Sequence, residues 1–414
     1  MRLMHCHFQN HIMSNTKSLL KNFNALPAAA CMTLLGLGLM ATTQNSAAQG
    51  AGAGNSANTS NDTAFDDSGA SFKLWDGGFA ATQKKFATAS PAAPNPPAAK
   101  SPAAATLAAI AGAQVLDWTF KLDNMLQRMG EIRLENLSAN NGGDLHYNGN
   151  LWIRAYADRL NASGAITGSP FHEYTGGASI GADKAFIQKP TLTAIIGLMG
   201  DISKTNRDFN DGGTGSTRDA GAGLYATLLS AHGWFAGLAA RIDALNTKFT
   251  ASPASPALND SRTTTTETLS LEAGRVFERS NGWWFEPSLQ AAIAWSPSAA
   301  TDPLFNGQPL RIQLDSSRDL QYRAMVRFGR QLGSSHWYPY GKFAIAKADT
   351  SGGTINIADT LSITPDYNGP RVELGLGAIC RINEFNQLYL DYTYLKSLNY
   401  NSPWSTNLGY RLLW

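Results

Sequence analysis

The chain has 414 residues, and its 33 Lys and Arg residues against 31 Asp and Glu residues give a formal net charge of +2. So balanced a charge excludes the strong basic field on which nucleic-acid binding depends. The composition changes markedly along the chain, so each segment predicts its own kind of structure.

Residues 1–48 have the three-part layout of a secretory signal peptide. Basic residues precede an apolar stretch from Leu26 to Ala41, and small residues follow that stretch. The stretch is shorter than the ~20 residues that a membrane-spanning helix needs. We therefore expect export with cleavage after Ala48, and either Met1 or Met13 as the start gives the same mature chain.

Residues 49–103 consist mainly of Ala, Gly, Ser, Thr, Asn and Pro. Such a segment buries too little apolar surface to offset its chain entropy, so we predict a short, mostly disordered passenger or linker. Scattered aromatic residues, including Trp75 and Phe79, leave two interpretations open: a plain spacer or a short binding epitope.

Residues 104–136 change to a helical pattern, with apolar residues at three- and four-residue spacing. This pattern predicts one long amphipathic helix. Its charged residues, among them Lys121, Asp123 and Arg128, forbid a span that faces lipid. If this helix crosses a membrane, it does so inside a protein wall.

From residue 150 onward the hydrophobic period becomes two, in segments of about ten residues separated by turn residues. In the last segment, Trp404, Leu408, Tyr410, Leu412 and Trp414 fall on one face, opposite a polar face. This alternation suits strands between lipid and a wet lumen. We predict twelve strands, near residues 150–160, 173–188, 191–201, 222–231, 234–248, 265–277, 283–295, 319–331, 336–348, 371–378, 387–394 and 404–414.

An even number of antiparallel strands allows a sheet to close on itself, which satisfies all backbone groups in lipid. A soluble β-sandwich is the alternative, but it gives no reason for a face so rich in charge. In the barrel that face lines the lumen. The predicted lumen-facing charged residues are Arg154, Glu272, Glu286, Arg323, Arg327, Glu373, Asp391 and Arg411.

Seven short stretches occur in a fixed order between residues 120 and 414: Arg128–Arg133, Trp152–Arg154, Gly181–Lys184, Gly223–Tyr225, Leu271–Arg275, Phe285–Pro287 and Asn407–Arg411. Together they resemble the outer-membrane β-barrel translocator domain of type V autotransporters.

The resemblance implies a 12-stranded antiparallel outer-membrane β-barrel at residues 150–414, with the helix of residues 104–136 threaded through its pore. It further implies that the helix links a passenger at the cell surface to the barrel wall. Inward glycines such as Gly375 and Gly377 are expected to make room for the helix backbone. Passengers in this family are usually far longer than residues 49–103, so no adhesin or hydrolase domain is expected there.

The pattern Leu408, Tyr410, Leu412 and Trp414 also resembles the signal by which the barrel-assembly machinery of the outer membrane recognises its clients. Strand addition at an open sheet edge provides a physical basis for that recognition. We expect Trp414 to matter most within this signal. The expected partners are the outer-membrane lipid bilayer, that machinery and periplasmic chaperones, with no nucleic acid and a monomeric barrel.

Catalytic and cofactor chemistry has little support in the sequence. The four histidines of the mature chain lack metal-ligand spacing, and no nucleophile-elbow pattern surrounds a serine, so no metal, cofactor or enzyme is expected. Some relatives cleave their own helix at an Asn–Asn pair. Here Asp123 and Asn124 match that pair, and Glu272 and Glu286 match the assisting acidic positions, but Asp123 is the poorer nucleophile.

The leading prediction is thus an autotransporter translocator that inserts as a β-barrel, exports its own N-terminal segment and anchors it at the cell surface. A porin-like passive channel is one rival, and it requires a lumen without the helix. A barrel that cleaves itself and releases the segment before Asn124 is the other. A passenger encoded separately also remains open.

Overall fold

The computed structural model describes residues 118–134 and 149–413, apart from residues 168, 211, 251–258, 280, 306, 333–335, 359–360 and 384. The predicted signal peptide (1–48), the low-complexity segment (49–103) and Trp414 lie outside the described residues. So do residues 104–117 and 135–136 of the predicted helix.

Two helices occur among the described residues: α1, residues 118–134, and α2, Gly164–Thr167. Neither combines the length and hydropathy of a membrane-crossing helix. The strands are β1 (Asn150–Ala162), β2 (Phe171–Lys189), β3 (Leu192–Phe209), β4 (Thr214–Ser230), β5 (Trp234–Thr250), β6 (Asn259–Arg275), β7 (Phe277–Glu278), β8 (Trp283–Ser296), β9 (Ala299–Thr301), β10 (Leu304–Phe305), β11 (Gln308–Pro309), β12 (Ile312–Leu314), β13 (Ser317–Arg330), β14 (Trp337–Gly352), β15 (Ile355–Ile357), β16 (Leu361–Ile363), β17 (Gly369–Arg381), β18 (Asn386–Ser397) and β19 (Tyr400–Leu413).

Twelve of the described strands form one antiparallel sheet in the order β1–β6, β8, β13, β14, β17, β18 and β19, with β7 as a short addition beside β8. The first and last strands pair, from Asn150 with Leu413 to Ala162 with Tyr400, so the sheet closes on itself. Closure leaves no edge with unpaired backbone groups. The prediction of a twelve-stranded antiparallel barrel is confirmed.

Alternating polarity along each strand explains why the sheet curls in this way. On β3, Leu198 and Ile202 point outward and are 59% and 66% exposed, whereas the neighbouring Met199 and Asp201 are buried. Side chains on a strand alternate between the two faces. The outer face is therefore apolar and suits lipid, while the inner face carries the polar and charged residues.

The two ends of the barrel differ in the length of their connections. At one end, β2–β3 and β4–β5 are joined by tight turns, at residues 190–191 and 231–233. At the other end, residues 297–316 and 353–368 are long connections, and they form a sheet of β16, β15, β12 and β9. Outer-membrane barrels have short periplasmic turns and longer extracellular loops, so the end with the β9–β16 sheet is the extracellular one.

Glycines on the inner face allow aromatic side chains to lie flat against neighbouring strands. A β-carbon at Gly377 would overlap the ring of Tyr340, and one at Gly197 would overlap Tyr225. The prediction that Gly375 and Gly377 make room for the helix backbone is therefore wrong. Gly375 is covered by Lys342, because the side chains of the adjacent strand reach these positions before the helix does.

Candidate functional site

Helix α1 lies inside the barrel lumen. Its residues Leu122, Met125, Met129 and Ile132 are fully buried, and so is Arg128. Side chains of the helix form ion pairs with β1, β2, β4, β6, β8 and β13. On the remaining part of the wall, Leu134 packs in one buried cluster with Tyr340 on β14, Ile379 on β17 and Tyr389 on β18. A helix that contacts the whole circumference occupies the pore.

The apolar side of α1 packs against the wall formed by β3, β4 and β5. Met125, Met129 and Ile132 belong to one buried cluster with Trp152, Ile195, Met199, Tyr225 and Phe235. Two glycines bring this wall close, since a β-carbon at Gly237 would overlap the Met129 methyl group and one at Gly223 would lie 3.1 Å from Met125 Sδ. Burial of this stripe fixes which side of the helix faces which strands.

The last turn of α1 is held by an arginine between two glutamates. Arg133 Nη1 donates to Glu272 Oε2 at 3.0 Å, and Arg133 Nη2 donates to Glu286 Oε1 at 3.0 Å. Arg327 also donates to Glu286, at 2.7 Å, and its Nη2 reaches the carbonyl of Gly130 at 3.1 Å. Charge-assisted bonds of this kind are about twice as strong as neutral ones.

The preceding turn carries a second arginine–carboxylate network. Arg128 donates from Nε and Nη2 to the two carboxylate oxygens of Asp183, at 2.9 and 3.1 Å. Arg154 donates to Glu131 Oε1 and to the carbonyl of Asn124, both at 2.5 Å. We name these two networks together the C-terminal ion cluster, whose members are Arg128, Glu131, Arg133, Arg154, Asp183, Glu272, Glu286 and Arg327.

Nearer the helix N-terminus, Lys121 enters a group of aspartates on β3, β4 and β5. Its ammonium forms a salt bridge with Asp219, and Arg241 forms salt bridges with Asp201 and Asp243. Arg241 also donates to the carbonyl of Lys121 at 3.2 Å. Carboxylate oxygens of the three aspartates lie within 4.8 Å of one another, a spacing that could hold a cation. Here the cationic side chains of Lys121 and Arg241 form salt bridges with all three and neutralise part of their charge.

Asp123 is less enclosed than the other charged residues of α1. Its Oδ1 accepts a hydrogen bond from Arg323 Nη1 at 2.7 Å, and its side chain remains 32% exposed. Arg323 also pairs with Glu373, which accepts from Arg371 Nε at 2.9 Å. With the aspartate group, this chain of charges forms the N-terminal ion cluster: Lys121, Asp123, Asp201, Asp219, Asp243, Arg241, Arg323, Arg371 and Glu373.

All eight residues predicted to face the lumen are buried within the barrel. Six of them belong to the two ion clusters. Asp391 accepts hydrogen bonds from Tyr340 and Lys342, at 2.8 and 2.7 Å, and so braces the wall rather than the helix. Arg411 is 1% exposed on β19.

The four residues predicted for self-cleavage do not form one contact group. Glu272 and Glu286 bind Arg133, which is ten residues beyond Asp123 and thus about 15 Å away along the helix axis. The described ion-pair partner of Asp123 is Arg323. The two glutamates therefore hold the helix end. Cleavage at residues 123–124 stays a prediction, and the described acid that shares Arg323 with Asp123 is Glu373.

A cavity of about 110 Å³ remains in the lumen beside α1. It is lined mainly by polar side chains, including Asp123, Arg323, Glu373 and Asp391. The helix is thus pressed against β3–β5 and leaves its free space on the opposite side. This space is far smaller than the open lumen of a porin-type channel.

Several residues of the ion clusters were missed by sequence reasoning. They are Asp183, Asp201, Asp219, Asp243 and Arg241, the partners of Arg128 and Lys121. Each alternates with an outward apolar residue on its strand, as Asp201 does with Ile202 and Asp243 with Ile242. Period-two alternation was therefore a usable signal for the inward charges.

The residues of the predicted assembly signal lie on β19, as far as they are described. Leu408, Tyr410 and Leu412 are half-buried and share the outer face of this strand. The Tyr410 hydroxyl donates to Asn386 on β18. Their role in assembly stays a prediction.

The sequence of this barrel is similar to those of known proteins. The family model for the autotransporter beta-domain matches residues 151–393. The chain is 28% identical to the pertactin autotransporter of Bordetella parapertussis over 301 residues, which is 72% of this chain and 31% of that protein. It is 26% identical to the BrkA autotransporter of Bordetella pertussis over 309 residues, 73% of this chain and 29% of that protein. The chain therefore spans less than a third of the length of these relatives.

Solved structures share the fold. The β domain of the Bordetella autotransporter BrkA superposes with a TM-score of 0.53 at 23% identity, covering 64% of this chain and 98% of that one. The transport unit of AIDA-I from Escherichia coli gives a TM-score of 0.54 at 16% identity, covering 68% of this chain and 97% of that one.

Proposed function

Because the chain belongs to the autotransporter β-domain family, we propose that its barrel carries the segment before α1 across the outer membrane and anchors it at the cell surface. The observation that carries this proposal is the direction of the helix in the pore. Lys121 pairs with Asp219 near the extracellular start of β4, and Arg133 pairs with Glu272 and Glu286 near the periplasmic turns. A chain running from Lys121 back toward its N-terminus therefore leaves at the extracellular end.

The occupied lumen favours anchoring over passive permeation. A porin-like channel needs open space along the whole axis, whereas ion pairs with several strands hold α1 in the lumen here. We infer that purified barrel in planar bilayers passes little current. In one variant, Arg128, Arg133 and Lys121 are replaced by Ser. Helix α1 should then be held less firmly in the lumen, and the conductance should rise severalfold. Equal, large currents from both proteins would instead support the channel.

Surface exposure of the N-terminal segment is tested by an epitope tag within residues 49–103. Antibody should bind the tag on intact cells, and external protease should remove it while leaving the barrel. A matched control carries the same tag in the turn at residues 190–191, where antibody should bind after the outer membrane is permeabilised. A tag in residues 49–103 that needs permeabilisation would contradict the proposal.

We further propose that the chain acts without enzymatic chemistry and that α1 stays uncleaved. Asp123 pairs with Arg323, Glu272 pairs with Arg133, and Glu286 pairs with Arg133 and Arg327, which supports a structural role for these three acids. The intact mass of protein extracted from outer membranes tests whether α1 is cleaved; we expect the mass of a chain that still contains α1. A fragment beginning at Asn124 would establish processing and overturn this proposal.

The proposed partners are the lipid bilayer, the barrel-assembly machinery and periplasmic chaperones, with a monomeric barrel. The apolar outer face of the barrel supports contact with the lipid bilayer. The outward series Leu408, Tyr410 and Leu412 on β19 supports recognition by strand addition. Replacing Trp414 by Ser should reduce the amount of heat-modifiable barrel, and unchanged amounts would refute its place in this signal.

A further inference from the structure

Three cationic side chains lie together on the outer face of β3, β4 and β5. Lys204 and Arg218 are direct cross-strand partners, and Arg218 is opposite Asn246 on β5. Lys248 lies two residues from Asn246 on the same face, and all three cations are exposed. Direct cross-strand partners have β-carbons about 5 Å apart, and diagonal neighbours are within about 8 Å.

This arrangement is unfavourable unless an anion joins it. Like charges directly opposite one another on a sheet repel. In the described part of the chain, the three side chains form no ion pair, unlike Lys347, which pairs with Asp349 at 2.9 Å elsewhere on the exterior. Asp208 is the next outward carboxylate on β3, four residues and thus about 13 Å from Lys204.

The three cations lie at the level along the barrel axis where the extracellular boundary of the apolar membrane core is expected. Outward apolar residues run along β3 from Leu192 to Ile202, and Lys204 is the next outward position. Those ten steps span about 33 Å along the strand, or roughly 25 Å of membrane thickness at a tilt of ~40°. The apolar band of outer-membrane barrels is about 25 Å tall. Lys204 therefore lies where the headgroups of the extracellular leaflet begin.

We propose that Lys204, Arg218 and Lys248 bind the phosphates of a glycolipid of the extracellular leaflet whose headgroup carries two phosphates. Each lysine lies within about 8 Å of Arg218, and the two lysines are on strands about 10 Å apart. This spread of charge matches two phosphate groups better than the single phosphate of an ordinary phospholipid. The lipid's acyl chains then lie on the apolar surface below, formed by Leu198, Ile202 and Leu224. Phosphate binding removes the repulsion between Lys204 and Arg218.

The inference rests on the membrane orientation of the proposed function, but its test does not require export. The full chain is purified in detergent micelles, and binding of diphosphorylated lipid A is measured by native mass spectrometry. The variant K204Q/R218Q/K248Q should bind this probe at least tenfold more weakly. Monophosphorylated lipid A should bind the unaltered chain several-fold more weakly than the diphosphorylated form.

The matched control is K184Q/R275Q/R330Q, which removes three outward cations near the periplasmic turns. Arg275 and Arg330 already stack on Trp234 and Trp283, at 5.2 and 5.6 Å. This control should change binding by less than about twofold. Equal losses in both variants, no loss in the first, or complete displacement of the lipid by inorganic phosphate at equal concentration would overturn the proposal. Heat-modifiable gel mobility verifies that each variant is folded.

Discussion

The two ends of helix α1 are held in different ways. Near its C-terminus, Arg128 and Arg133 are completely enclosed, and each binds carboxylates of the wall with two or more hydrogen bonds. Near its N-terminus, Asp123 makes one hydrogen bond to Arg323 and remains partly exposed to the lumen cavity. Both ends are charged, yet every member of the C-terminal ion cluster is buried, whereas the N-terminal ion cluster includes the partly exposed Asp123.

From this difference we expect burial, rather than the number of charges, to decide how firmly each part of the charged helix is held. A buried carboxylate that loses its partner has no water to replace it, and such a loss costs about 3–5 kcal/mol. A partly exposed group regains water, and exposed pairs contribute about 0–1 kcal/mol. The comparison therefore predicts a gradient of mutational effects along one helix.

The largest effect is expected for Arg133→Met, which leaves Glu272 and Glu286 without their helix partner. The free energy of unfolding should fall by about 3–5 kcal/mol, measured by urea titration in lipid vesicles with heat-modifiable mobility as readout. In the double variant Arg133→Met, Glu272→Gln, part of this loss should return, because fewer buried charges are left unpaired. If the free energy of unfolding of the single variant fell by less than about 1 kcal/mol, the proposed difference between the two ends of α1 would be wrong.

Lys121→Met should have an intermediate effect. It removes the ammonium beside Asp219, but Arg241 continues to form salt bridges with Asp201 and Asp243. We expect a loss of about 2–3 kcal/mol in the same titration. If Asp219→Asn added to Lys121→Met restores stability, the unpaired carboxylate is the cause; a further loss would point to packing instead.

Asp123→Asn should cost about 1 kcal/mol or less, since Arg323 keeps Glu373 and the amide can still accept a hydrogen bond. The same variant sharpens the question of cleavage, because an Asn–Asn pair then precedes Gln127 and Arg128. Intact mass should remain that of the uncleaved chain. A cost as large as that of Arg133→Met would show that the two ends are equivalent.

The smallest effect is expected for Asp349→Asn, which breaks the exposed pair with Lys347 on the barrel exterior. The two side chains are 47% and 61% exposed, so less than about 0.5 kcal/mol should be lost. Raising the salt concentration should reduce this small difference further. A larger change would show that exposure alone does not rank the ion pairs of this barrel.

The sequence predicted the barrel wall well because lipid and lumen select opposite polarities at adjacent positions. Pairs such as Asp201 and Ile202 carry that information locally, and the three- and four-residue spacing of Leu122, Met125 and Met129 does the same for α1. The short strands β9–β12 were not predicted, because two or three residues are too few for a period of two.

Partners across the lumen could not be predicted in the same way. Inward side chains of every strand share one space, so the partner of Lys121 depends on strand register and on the rotation of the helix. The error at Gly377 has the same origin: only the register of β14 with β17 places Tyr340 beside it. The partners of inward side chains are therefore determined only when the sheet closes and the strand register is set.

The pairing of β1 with β19 also limits when α1 can enter the barrel during folding and how long it stays inside. It joins residues 150 and 413, so the ring is completed by contacts between the most distant parts of the described wall. The charged side chains of α1 cannot pass through an apolar wall, and the helix must therefore enter before this last ladder forms or slide in along the axis. Once enclosed, it leaves only when many buried ion pairs break together. The backbone already joins the N-terminal segment to β1, and the ion pairs keep α1 inside the pore for as long as the barrel remains folded.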